Sequence, residues 1–289
     1  MIDRRQFVRL TAMLAAAPAL ARPPTPLDLK AAVVAAEKRT GGRIGLTVHD
    51  TATGRRFAWR GDARFPMAST FKALLAAAIL ERIDAGKDRL DRAVAVAKAD
   101  MVGNSPLSAK HVGGTATVGE LAEAMVIYSD NTATNLLLPA VGGPAGFTAF
   151  LRRIGDPVTR LDRNEPAMST ATPGDPRDTT SPNAIAASFE RVLLGNLLTP
   201  ASRQQLTSWL VANTTGDTRL RAGLPSDWKI GDKTGTGDHG TVNDIAIVWP
   251  SRTLPGPVFI ASFVNGGTAP ADLLYRAHAD LARAVAAAL

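Results

Sequence analysis

The 289-residue chain has no cysteine. It therefore has no disulfide, no thiolate metal site and no cysteine nucleophile. Aromatic residues make up only 5% of it, and Lys and Arg are scattered among Asp and Glu rather than gathered in a run. A net charge of +7 without a basic patch or interleaved aromatics does not describe a nucleic-acid surface. It does suit a small anionic substrate. Long apolar runs are also missing: Leu10 through Leu20 is too short and too rich in alanine to span a bilayer. No internal repeat appears. A hydrophobic content of 45% is ample for one large domain or two interleaved ones.

Residues 1–21 read as a targeting segment. Asp3-Arg4-Arg5-Gln6-Phe7-Val8-Arg9 is a twin-arginine pattern, and Ala19-Leu20-Ala21 is a small-x-small cleavage site. The expectation is cleavage after Ala21 and export of a folded, periplasmic or secreted protein by the twin-arginine route, with no membrane contact afterwards. Arg22-Pro23-Pro24-Thr25-Pro26 is a linker by composition.

Leu27 to Lys38 has a helical pattern. Ile44–Asp50 alternates as a strand does, Thr51–Gly54 is a turn, and Arg55–Trp59 is a second strand, giving a hairpin. From Gly61 to about Trp209 the chain reads as helices and loops with no convincing strand. Strand patterns return at Trp228–Gly235, Val242–Trp249 and Val258–Val264, and Asp272 to Leu289 closes with a helix. Strands at both ends around a helical middle predict an α+β fold: an antiparallel sheet assembled from the two chain ends and flanked by helices, with a helical domain inserted. The expected division is 27–60 plus 210–289 for the sheet domain and 61–209 for the helical one.

Three short motifs stand out. Ser69 and Lys72 lie three apart where a helix begins, just after Pro66. Phe71, Leu74, Leu75, Ala78 and Ile79 give that helix a buried stripe. Residues three apart share a helix face, so the Lys72 ammonium can reach the Ser69 hydroxyl and serve the base a serine nucleophile needs. Alone, the pair reads more simply as a helix cap and a solvated charge. Ser129-Asp130-Asn131 follows an apolar helical run, and Lys233-Thr234-Gly235 lies in a predicted strand. Three such motifs in this order at domain-scale spacing are not a chance combination.

In these motifs the chain resembles the class A serine β-lactamases, and the likeness extends through Leu161-Asp162-Arg163-Asn164-Glu165-Pro166 and from Pro200 to Ile247. The resemblance implies β-lactam hydrolysis through an acyl-enzyme on Ser69, without metal or organic cofactor, in a monomer by default. Lys72 and Glu165 would share the proton work, and Ser129 would pass a proton to the lactam nitrogen. Asn131 would bind the substrate's acylamide and steady Lys72. Lys233 and Thr234 would anchor the carboxylate. The N–H groups of Ser69 and Thr236 would hold the oxyanion. Gly235 and Gly237 would let the strand lie close to the ligand. Two lysines at one site would lower each other's proton affinity. Glu165 would activate the deacylating water from an Ω-type loop, 160–182, closed by an Arg163–Asp178 ion pair.

The chain departs from the family pattern at three places. Ser169 replaces an asparagine that helps hold the water. Asn104 stands where an aromatic residue often walls the cleft. Val242 occupies the place of a frequent arginine, and Arg219 matches the alternative position some members use. A DD-peptidase shares the three motifs but lacks the glutamate; a β-lactam sensor would acylate without turnover.

Overall fold

The computed structural model describes residues 26–250 and 256–289; the targeting segment read at 1–21 lies outside them. Five strands form an antiparallel sheet: β1 (Arg43–Asp50), β2 (Arg56–Trp59), β7 (Lys229–Gly237), β8 (Thr241–Trp249) and β9 (Val258–Asn265), in the order β2-β1-β9-β8-β7. β1 pairs with β9 from Arg43↔Asn265 to Asp50↔Val258, so the two ends of the chain are joined at the centre of the sheet. β7 is its edge.

Both faces of the sheet are covered, and the two-residue period of a strand divides the side chains between them. On β9, Phe259, Ala261 and Phe263 pack with Phe65 and Phe189 on the helical side. Val258, Ile260 and Val264 pack with Val33, Leu274 and Leu281 on the other. Those last three come from α1 (Lys30–Thr40) and α8 (Ala271–Ala288). β8 splits the same way, with Ile245 and Ile247 on one face and Ala246 and Val248 on the other.

Between β2 and β7 the chain is mainly helical, but it carries two short ribbons that the sequence reading did not find. β3 (Phe65–Pro66) pairs with β6 (Thr179–Thr180), and β4 (Ala93–Val96) with β5 (Gly114–Thr117). Two- and four-residue strands are too short to show an alternation.

The main helices here are α2 (Phe71–Asp84), α3 (Val118–Ile127), α4 (Asn131–Leu137), α5 (Gly143–Arg153), α6 (Pro182–Leu194) and α7 (Pro200–Val211). Their starts follow local chemistry. Thr117 and Glu120 form a capping box on α3. Ser181 and Thr199 cap α6 and α7, each with Pro at the first turn. α2 is buried on every side from Phe71 to Leu80, not only along a stripe. A helix apolar all round belongs in a core, and α2 is the axis on which α3, α5, α6 and α7 pack.

Candidate active site

The Ser69 end of α2 meets the edge strand β7, and the segment 160–182 closes over both. The cleft between them has a volume of about 290 Å³ and is lined by Ser69, Asn104, Ser129, Asn131, Glu165, Ser169, Thr215, Arg219 and Thr234–Thr236.

Ser69 is not a helix cap. It sits in a tight turn, Ala68–Thr70, that leads into α2 with no side-chain cap bond. Ala68 has φ +44°, a strained conformation for an alanine, of the kind that collects at functional sites. The Ser69 hydroxyl donates to Glu165 Oε1 at 3.3 Å. Lys72 Nζ reaches the same oxygen at 3.1 Å. The sequence placed Lys72 directly on Ser69; here the carboxylate stands between them and takes both.

Lys72 also donates to Asn131 Oδ1 at 2.5 Å, to the Ser129 carbonyl at 3.0 Å and to Ser129 Oγ at 3.5 Å. Ser129 has φ +58°, which brings its carbonyl and hydroxyl together onto Lys72. Burial of the side chain pushes the Lys72 ammonium below its usual range, against the pull of Glu165. For Lys233 burial also comes first, and the Lys72 charge second, bringing it to about 7. The mutual lysine effect expected from sequence therefore acts on Lys233, behind a larger effect of burial.

Asp130 is structural. Its buried carboxylate caps α4 through the Ala133 N–H at 2.8 Å and accepts from Ser108 Oγ and the N–H groups of Leu107 and Ser108. It fixes Ser129 and Asn131 on either side of it.

Glu165 is held from three directions. Ser169 Oγ donates to Oε2 at 3.0 Å. Asn135 grips the backbone: its Oδ1 accepts from Glu165 N at 3.0 Å and its Nδ2 donates to Glu165 O at 2.8 Å. The sequence reading missed Asn135. The signal was its spacing, four residues after Asn131 and so on the same face of α4. The loop is closed by the ion pair of Arg163 Nε with Asp178 Oδ2 at 2.6 Å. The other Asp178 oxygen takes the N–H groups of Asp162 and Arg163.

On β7, Thr234, Gly235 and Thr236 line the cleft, and Lys233 lies behind them. Thr234 Oγ1 shares a hydrogen bond with Thr215 Oγ1 at 2.5 Å, and Thr215 also lines the cleft. Lys233 is fully buried, its ammonium on the Thr234 carbonyl at 3.0 Å. Its charge acts through the wall of the cleft rather than from its lining. At both glycines the space a side chain would take is filled by protein. A Cβ at Gly235 would sit 2.8 Å from Met67 O and 3.1 Å from Ser69 N; one at Gly237 would sit 2.6 Å from Ser169 O.

Arg219 is no surface charge: it is 5% exposed. Nη1 donates to the carbonyls of Gly235 at 2.9 Å and Asn243 at 2.6 Å, and Nη2 to Thr236 Oγ1 at 2.6 Å. Val242 faces the α8 core opposite Thr236, so the guanidinium at this corner comes from 219. Asn104 is exposed at the rim, its Nδ2 on the carbonyls of Tyr128 and Ser129.

The family profile described as "Beta-lactamase enzyme family" matches residues 28–289. Among curated proteins, the chain is 48% identical over 221 residues to Beta-lactamase CTX-M-97 of Escherichia coli, covering 76% of each chain. It is 47% identical over 264 residues to Beta-lactamase L2 of Stenotrophomonas maltophilia, covering 86% of this chain and 87% of that one. Among solved structures it is similar to an ancestral class A β-lactamase (GNCA), with a TM-score of 0.89 and 58% identity over 91% of this chain and 100% of that one. A β-lactamase from Xanthomonas campestris superposes with a TM-score of 0.88 at 48% identity, covering 90% and 97%.

Proposed function

Because the chain belongs to the class A β-lactamases and hydrolyses β-lactams, we propose a reaction course that assigns each step to a residue of the cleft. One observation carries it: Glu165 Oε1 accepts from the Ser69 hydroxyl and is reached by Lys72 at the same time.

Ser69 attacks the lactam carbonyl as its proton passes to Glu165. A buried carboxylate within hydrogen-bond reach of the hydroxyl is placed for that transfer. The oxyanion forms between the N–H groups of Ser69 and Thr236. Support for Thr236 comes from β7 being a sheet edge. The Asp238 N–H leaves that edge for Ser169 O at 3.0 Å, and the strand period turns the Thr236 N–H to the same side. The C–N bond breaks, and the nitrogen takes a proton from the Ser129 hydroxyl; Lys72 resupplies Ser129, and Glu165 passes the proton it took from Ser69 on to Lys72, 3.1 Å away, so that its carboxylate is free again. Water then loses a proton to Glu165 and attacks the ester carbonyl, and Ser69 leaves with its proton restored.

The substrate carboxylate lies on Thr234, Thr215 and Arg219 within the field of Lys233; Asn131 and Asn104 face the acylamide side. Export to the periplasm by the twin-arginine route, cleavage after Ala21, a monomeric state and the two-domain division belong to the same proposal. A hydrolase leaving the cell without cysteine meets no redox constraint.

A chromogenic cephalosporin tests the course. Steady turnover is expected from the wild type, and neither turnover nor a covalent adduct by mass spectrometry from Ser69→Ala. A single stoichiometric burst would mark a sensor, and cleavage of a D-Ala-D-Ala peptide a peptidase. An adduct on Ser69→Ala would remove the nucleophile assignment.

A further inference from the structure

Arg219 is a buried cation without a carboxylate hydrogen bonded to it. Among the described residues, its short hydrogen bonds go to two backbone carbonyls and the Thr236 hydroxyl, the Tyr275 hydroxyl acts on it as a further hydrogen-bonding partner, and Nε is left unpartnered. Asp244 lies near enough for its field to act on the guanidinium. However, its Oδ2 accepts from the Leu220 N–H, its Oδ1 is unpartnered, and burial with the Asp232 charge favours its neutral form. The Lys233 ammonium is close enough to feel the Arg219 charge and adds repulsion.

What does meet the cation is Tyr275, through its hydroxyl and through its ring face. Arg219 Cζ lies 4.7 Å from the centroid of the Tyr275 ring. A cation over a ring gains most when both are desolvated, as Arg219 is here. Tyr275 stands half-buried on α8, between Arg219 and a second cavity of about 430 Å³ lined by Asp217, Asp272 and Arg276 among others. The same helix also takes hold of β8 directly. His278 Nε2 lies 3.1 Å from the Val242 carbonyl, while Arg219 Nη1 holds the next carbonyl, Asn243. Val242 is the β8 partner of Thr236.

We propose that Tyr275 is a positioning residue for the β-lactam site. Its ring holds the Arg219 guanidinium inward, so that Arg219 fixes the Thr236 hydroxyl and the β7 backbone at the cleft. The proposal rests on Arg219 being part of the substrate-carboxylate site. Without the ring, the guanidinium loses its wall on the α8 side and has solvent to turn to. Thr236 then loses its donor, and the substrate meets a looser carboxylate site. The ring touches no reacting atom, so the loss falls on binding rather than on the chemical step.

Steady-state kinetics on a penicillin test this with Tyr275→Phe, Tyr275→Leu and Tyr275→Met, alone and combined with Arg219→Ala. Phe keeps the ring face and removes the hydroxyl; a KM near the wild type is expected because the ring carries the hold, and a rise in Phe as large as in Leu and Met would give the hold to the hydroxyl and overturn the role of the ring. Leu and Met keep apolar volume without a ring; each is expected to raise KM about tenfold, equivalent to about 1.4 kcal/mol, with kcat little changed. In the Arg219→Ala background the same substitutions are expected to add nothing, because the cation they act through is gone. A wild-type KM in both Leu and Met variants, beside a raised KM in Arg219→Ala, would overturn the role of Tyr275 alone. A full additional KM rise in the Arg219→Ala background would overturn it too, since the ring would then act by another route. An unchanged KM in Arg219→Ala would instead remove Arg219 from the site and the proposal with it. Melting curves identify a variant that has lost its fold; having two ring-free variants keeps the comparison available.

Discussion

Gly235 packs directly against the turn that carries Ser69, and Gly235→Ala perturbs the cleft there. The backbone there is ordinary strand, so alanine brings no conformational penalty of its own; the whole effect is steric. The new Cβ would lie 2.8 Å from Met67 O, 3.1 Å from Ser69 N and 3.2 Å from Ala68 Cβ. None of these can step aside easily. Met67 O accepts from Asn243 Nδ2 at 3.0 Å and Thr70 Oγ1 at 2.8 Å, and Ala68 is already at positive φ. To restore normal contact, β7 and the nucleophile's turn must part by about 0.6 Å. Overpacking of this kind costs ~1–3 kcal/mol, which for a domain of this size lowers Tm by roughly 2–12 °C. The activity loss should be larger in proportion, because the gap opens between the two proposed oxyanion donors, Ser69 N and Thr236 N. Misplacing or losing one such donor costs ~10²-fold or more. Stopped-flow measurement of acylation by a chromogenic cephalosporin, beside a melting curve, gives both numbers. A variant with a wild-type acylation rate would show that the 67–69 turn does not need β7 where it is, and the oxyanion assignment would fall.

Three further outcomes follow from the site. Glu165→Gln, in which Lys72 is left to take the Ser69 proton, should acylate more slowly and then stall, with deacylation slowed ~10²-fold or more; a penicillin turned over at the wild-type rate, with no trapped adduct in the mass spectrum, would leave the water without its base. Lys233 loses its proton as pH rises through about 7 in the free enzyme. The kcat/KM of a carboxylate-bearing substrate should therefore fall above that pH, and Lys233→Arg, whose cation persists to high pH, should remove this limb; an identical pH profile in both proteins would detach Lys233 from the carboxylate. Asp244 is raised well above the usual carboxylate range by burial. The folded state thus keeps a proton that the unfolded chain releases above its own pKa, and this side chain costs stability as pH rises from about 4. Asp244→Asn should raise Tm at pH 7 to 8, with the gain vanishing near pH 4; a lower Tm at pH 7 would mean the ionised form is stabilising.

What the sequence made legible was what lies close along the chain. Ser69 sits in the turn that leads into the helix of Lys72, Ser129 and Asn131 flank one cap, and the strand patterns of β1, β8 and β9 repeat over seven or more residues. Periodicity and spacing reach that far. The sheet built from both chain ends was legible for a related reason: strands at 43–59 and 229–265 must find partners, and a helical middle offers none long enough.

The parts that escaped are pairings between distant segments. No local pattern says that Asn135 will grip the backbone of Glu165, or that Arg219 will be buried against β7 rather than solvated. Gly235 and Gly237 show the difference well. Their motif marks them as small, and a close approach follows from that, but a sequence does not name what approaches. The partners turn out to be the two segments that carry the nucleophile and the base: Met67–Ser69 behind Gly235 and Ser169 behind Gly237. An exposed edge strand ordinarily invites pairing with another chain. Here the edge of β7 is covered along one stretch by those segments, and the Asp238 N–H is taken by Ser169 O. The gap left between them is the cleft, and Thr236, the proposed oxyanion donor of this edge, lines it. In the proposed course the oxyanion donor belongs to the stretch of edge between those two segments, and the two glycines set how closely the segments approach it.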